Sequence, residues 1–283
     1  MARGPIRART RPASADDFPT ISAPVREPRA ADLDRAPAQA GSPPPRIGLR
    51  PEKVLRWLSV AIVLLIAASL AGTISRLYFG HDNLLGFIPL FNVDVEANVP
   101  TWYSASALLL AALLLGIIWR AQTARGERFS RHWGALALVF VYLSADEGGH
   151  IHEVISTPAR FDEFMAAYGQ LTWLIPNGLG LLALCLIYRR FVFALPKDVL
   201  RPAFASAVVF VAGAVGTELI GWLYRQSNPS GLTSELITLA EESLEMFGVA
   251  LFIYALLVFI ARHIPPFEVS GVDAPGRDHR TRP

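Results

Sequence analysis

Between Leu143 and Glu153 the chain reads LSADEGGHIHE, setting three acids and two histidines into an otherwise apolar stretch. On a helix Asp146, His150 and Glu153, spaced four and three apart, share one face. Glu147 stands three residues before His150, the Glu-x-x-His spacing by which di-iron carboxylate bundles present adjacent ligands. His152 is turned away from His150. With Glu153 it is a candidate for an acid or base beside the ligands rather than a ligand. Further along, Glu218, Glu242 and Glu245 interrupt two other apolar stretches. Asp146, Glu147, His150, Glu218, Glu242 and Glu245 together compose a candidate metal set. Histidine with carboxylates suits zinc, iron or manganese, and carboxylates alone suit calcium. Without a metal, so many acids in an apolar layer must be neutralised by protons or by other cations.

These residues need a scaffold that carries them into one place, and the composition says what kind. Of 283 residues, 52% are hydrophobic and only 18% charged, and the apolar residues fall in blocks. That is the pattern of a membrane protein, because about 20 apolar residues match the hydrocarbon thickness. Six spans are expected, at Trp57 to Ser75, Val99 to Trp119, Trp133 to Ala145, Tyr168 to Tyr188, Pro202 to Thr217 and Leu236 to Ala261. The third and fifth run into acids, and the sixth contains them. Acids inside a bundle are rare but permitted where they face its interior or a cavity. The expected fold is an all-α polytopic transmembrane bundle of six helices over residues 51–263. Residues 1–50, rich in Pro, Ala and Arg, are expected to form a disordered cytoplasmic tail, and residues 264–283 another.

Loop charges alternate along the chain. Thirteen lysines and arginines border the spans on one side, among them Arg120, Arg125, Arg128 and Arg131, against Arg76, Arg160 and Arg225 on the other. The positive-inside rule then puts both termini in the cytoplasm. At 1.5 Å per residue from the bordering arginines, Asp146 to Glu153 lie about 22–33 Å deep, Glu218 about 25 Å, and Glu245 and Glu242 about 25 and 30 Å. Three helices therefore bring their acids to one level near the outer face. Glu153, His152, Glu235 and Glu241 have a plainer reading as groups solvated among the headgroups.

The first outer loop, residues 80–104, is too apolar for a simple linker and is expected to fold back on the bundle. In extended backbone Asp94, Glu96 and Asn98 would point one way and cap the site. Trp102, Trp173 and Trp222 at the outer edge, and Trp57, Trp119 and Trp133 at the inner, read as interfacial belts. Gly178 with Gly180, and Gly213 with Gly216, read as helix-packing surfaces. Ser144 lacks the Gly-x-Ser-x-Gly setting of a nucleophile. The single cysteine, Cys185, excludes an intrachain disulfide. A net charge of only +2, with no basic face carrying aromatics, argues against nucleic acid as a partner.

NVPTWYS (Asn98 to Ser104) together with LSADEGGHIHE resembles a family of bacterial six-span membrane proteins of no known activity. The resemblance implies the architecture and a bacterial plasma-membrane location, and supplies no reaction. Three functions stay open. One is a metal-dependent membrane protein or enzyme, acting on a lipid or an extracytoplasmic small molecule. The second is a proton- or cation-coupled transporter or channel, and the third a non-catalytic scaffold or sensor.

Overall fold

A computed structural model describes residues 50–149, 151, 171–227 and 231–265, with the side chains of 171–177 left aside. His150, His152, Glu153, Arg160 and the start of the fourth expected span lie outside the described residues. So do the two expected tails, apart from residues 50, 264 and 265.

The described chain is helical. Its elements are α1 (Pro51–Phe79), a short α2 (Phe87–Phe91), α3 (Val99–Ala124), α4 (Ser130–Gly149), α5 (Leu171–Phe193), α6 (Lys197–Val211), a π-helical turn (Ala212–Thr217), α7 (Glu218–Arg225) and α8 (Leu232–His263). Local chemistry sets the boundaries. Pro51 opens α1, where its missing N–H costs nothing, and Gly80 closes it in the left-handed region at φ 66°. Asn98 caps α3 and Pro100 sits in its first turn.

Among the described residues four stretches are long and apolar enough to cross a bilayer: Pro51–Phe79, Val99–Ala124, Lys197–Arg225 and Leu232–His263, of 29, 26, 29 and 32 residues. The chain is therefore a membrane protein. Helices α4 and α5 stand where the third and fourth spans are expected. In α4 the apolar run is diluted at its end by Asp146 and Glu147.

The surface is inverted relative to a water-soluble fold. Leu64, Leu138, Ile187 and Phe204 are each about two-thirds exposed, and together with the long apolar helices such faces fit contact with hydrocarbon. The interior is organised around α8, which packs against α1, α3, α6, the π turn and α7. Ala111, Leu115 and Ile118 of α3 and Ile253 and Leu256 of α8 are completely or almost completely buried in one cluster. Ile62 and Leu65 of α1 meet Met246 and Ala250 of α8 in a second.

At the arginine-rich end, α6 is tied to α8. Asp198 accepts a hydrogen bond from Arg262 at 3.2 Å and lies 3.2 Å from His263. The backbone carbonyl of His263 accepts from Arg125, the residue that caps the end of α3. Trp133 departs from its expected place in the interfacial belt. It is 4% exposed, with its ring 4.8 Å from Phe191 and 4.9 Å from Phe259. The physical reason is the tight turn from α3 to α4, which sets the first turn of α4 against α5 and α8. Gly178 and Gly180 also differ from expectation, being exposed with nothing packed on them among the described residues, whereas Gly213 is tightly packed.

Candidate functional site

The acids rest on a close contact between α8 and the chain just before Glu218. A Cβ on Gly213, in the π turn, would lie 3.0 Å from the carbonyl oxygen of Glu241 and 3.1 Å from Cγ of Glu245. Any side chain at this position would force the facing atoms of α8 to give by a few tenths of an ångström. One turn further along α8, a Cβ on Gly248 would lie 2.7 Å from Cβ of Phe210, and Ser206 Oγ donates to the Gly248 carbonyl at 2.8 Å. The π turn, paired i→i+5, carries one residue more than an α turn, a deviation found often at functional sites. Thr217 Oγ1 donates to the Gly213 carbonyl within it at 2.6 Å. The turn ends at Glu218.

Around this contact the acids converge. Glu242 lies within electrostatic reach of Glu245, Glu147, Glu241 and Asp94. Glu245 lies within reach of Glu241, Glu147 and Glu218, and Glu241 within reach of Glu218, Arg225 and Asp94. Of the expected ligands, Glu147, Glu218, Glu242 and Glu245 are thus gathered from α4, α7 and α8. Asp146, beside Glu147, is half-buried. His150 falls outside the described residues. Two acids join that the candidate set omitted. Glu241 is half-buried rather than solvated, and Asp94, exposed on the outer loop, comes within electrostatic reach of Glu241 and Glu242.

Cations appear at the rim. Arg76 pairs with Glu235 at 2.8 Å. Arg225 folds back over Gly221 and donates to Thr238 Oγ1 at 3.4 Å. Both arginines bear on Asp94, yet the Asp94 carboxyl is held above the usual aspartate value. Its partial loss of water against the bundle is the main cause and the charge of Glu235 the next, and these outweigh the two arginines.

The outer loop folds back as expected. Ile88 of α2 is buried against Gly72 of α1, and Phe91 packs on the α1–α8 cluster. Asn98, expected to face the site beside Asp94, instead holds the loop together. Its Oδ1 accepts from the Thr101 N–H and hydroxyl, each at 3.1 Å. Its Nδ2 donates to the carbonyls of Asn92 at 2.5 Å and Val95 at 2.6 Å, and to Pro89 at 3.3 Å. Tyr103 donates to the Leu58 carbonyl of α1. NVPTWYS is thus a folding motif. Ser144 is engaged as well, donating to the Ala105 carbonyl of α3 at 2.7 Å.

Among the described residues no group of three or more His, Cys, Asp or Glu side chains stands in a metal-ligating arrangement. Glu147, Glu242 and Glu245 lie within electrostatic reach of one another, and His150, the expected nitrogen ligand, lies outside the described residues. The sequence did carry a signal for the π turn, in the small residues of Ala-Gly-Ala-Val-Gly-Thr just before Glu218.

Fold and site define the class: an all-helical membrane protein whose acids meet at the end of the bundle opposite its arginine-rich loops. Within that class, the family model described as Domain of unknown function (DUF8692) matches residues 57–259, and the chain belongs to that family. No curated protein and no solved structure matches it.

Proposed function

We propose that the chain crosses a bacterial plasma membrane six times with both termini cytoplasmic, and that its acid layer is a cation site open to the outer side. The site takes a divalent metal, zinc, iron or manganese, with His150 supplying the nitrogen ligand. Carboxylates come from Glu147, Glu242 and Glu245, while Asp146 and Glu218 border them. Glu153 and His152 stand next along the chain as acid or base toward a lipid or small extracytoplasmic substrate. The observation that carries this reading is the convergence of carboxylates from α4, α7, α8 and the outer loop. Carboxylates gathered in a low-dielectric layer favour a bound cation or shared protons, and the described arginines beside them, Arg76 and Arg225, stand at the rim. Metal content of the purified protein tests it. Stoichiometric metal in wild type, lost in His150→Ala and in Glu242→Gln, is the expected result. Metal-free wild type whose stability ignores chelators would refute it.

The π turn leaning on Glu241 and Glu245 favours a second reading. A segment able to shift between π and α register beside shared protons suits proton- or cation-coupled transport. Flux into proteoliposomes that is indifferent to proton and cation gradients would remove it.

A further inference from the structure

At the other end of the bundle, α3 and α4 leave a groove of about 1090 Å³ between them, as large as the larger small-ligand sites, which run to about 1,000 Å³. Its walls are apolar, with Ile117 from α3 and Leu138 from α4 both exposed. Gly116 leaves it open, with nothing within 4 Å of the position a Cβ would take. Trp119 lines it at the arginine end, lying 3.0 Å from where Gly134 would carry a Cβ. Arg120 and Arg131 stand at its mouth, exposed, and neither forms an ion pair among the described residues. The third arginine there, Arg125, is already engaged by Glu127 and the His263 carbonyl.

From Arg131 to Val141, the far lining residue, is ten residues, about 15 Å of helix, half of the roughly 30 Å hydrocarbon core. The groove is therefore one leaflet deep, apolar along its length and doubly positive at headgroup level. We infer that it holds an anionic phospholipid of that leaflet, one acyl chain between α3 and α4 and the phosphate on Arg120 and Arg131. Guanidinium forks match phosphate oxygens in charge and geometry.

Trp119 reports on occupancy. Full-length protein is reconstituted in phosphatidylcholine nanodiscs carrying a minor fraction of acyl-brominated phosphatidylglycerol or, in parallel, acyl-brominated phosphatidylcholine. The Trp119 signal is the difference between wild type and Trp119→Phe. Brominated phosphatidylglycerol is expected to quench it several-fold more than brominated phosphatidylcholine. An Arg120→Gln/Arg131→Gln variant is expected to need about 25-fold more anionic lipid, since each headgroup-level arginine is worth about fivefold. Excess inorganic phosphate and removal of residues 266–283 are expected to change nothing. Equal quenching by the two lipids would overturn the proposal, as would indifference to the arginine substitutions. Relief by phosphate would make this a free-anion site, and enhanced quenching after tail removal would make the tail the occupant. Either result also overturns it.

Discussion

Asn98 offers the sharpest test of how the outer loop is held against the acid layer. Its amide orientation is forced, because the Thr101 N–H needs an acceptor and the Asn92 and Val95 carbonyls need donors. Asn98→Ala removes the cap of α3, worth about 1 kcal/mol. It also removes two short hydrogen bonds to carbonyls, each contributing about 1 kcal/mol net. The Pro89 contact at 3.3 Å is long enough to add little. The total is about 3 kcal/mol. At roughly 2–4 °C per kcal/mol for a chain of this size, the apparent melting temperature in detergent should fall by about 6–12 °C. Asn98→Asp keeps the capping oxygen and loses both donors, so it should fall by at least two-thirds as much, and further where its charge opposes the carbonyls. Melting is followed by tryptophan fluorescence at a fixed scan rate. An Asn98→Ala protein that melts within about 1 °C of wild type, or an Asn98→Asp protein that matches wild type, would show that the network does not hold the loop.

Two further outcomes follow from the same geometry. Trp133→Ala empties a buried aromatic cluster and should cost about 3–5 kcal/mol, lowering the melting point by roughly 10 °C, whereas Trp57→Ala, at a 72% exposed position, should leave it nearly unchanged. Asp94 gives a pH dependence. Its folded-state pKa is raised above 3.8, so the folded form binds the proton more tightly and stability declines as pH rises from 3.8 through the raised value. Asp94→Asn should therefore melt higher than wild type at neutral pH, with the gap closing below pH 3.8. A variant less stable than wild type at neutral pH would mean that Arg225 and Arg76 outweigh the desolvation.

Much of the helical framework was legible because bilayer crossing demands long apolar runs, and lysine and arginine punctuate them. The meeting of Glu147, Glu218, Glu242 and Glu245 was also legible, since depth along a helix follows from counting residues from a charged boundary. What counting could not supply was azimuth. It located Glu241 at the right depth but could not tell that Gly213 packs on its turn and half-buries it. Trp133 misled for a similar reason. A tryptophan near a span end looks the same whether it faces lipid or, as here, Phe191 and Phe259. Asn98 misled through its backbone. Extended pairing would have aimed it with Asp94, but Ala97 at φ 58° breaks the strand geometry and turns the amide inward. Gly178 and Gly180 failed because small residues permit close packing without requiring it.

The π turn at Ala212–Thr217 amounts to a single residue inserted into an α-helix. The extra residue is taken up locally: pairing i→i+5 over one turn absorbs it, and the α-helix on either side keeps its register. Deleting one small residue here would therefore let the turn close as ordinary α-helix and leave Glu218 and Arg225 facing as they do. What would be lost is the bulge itself, with the Gly213 carbonyl that Thr217 engages and the backbone that lies against Glu241 and Glu245. In this fold the inserted residue sets the width of the helix beside the acids, and not the direction of Glu218.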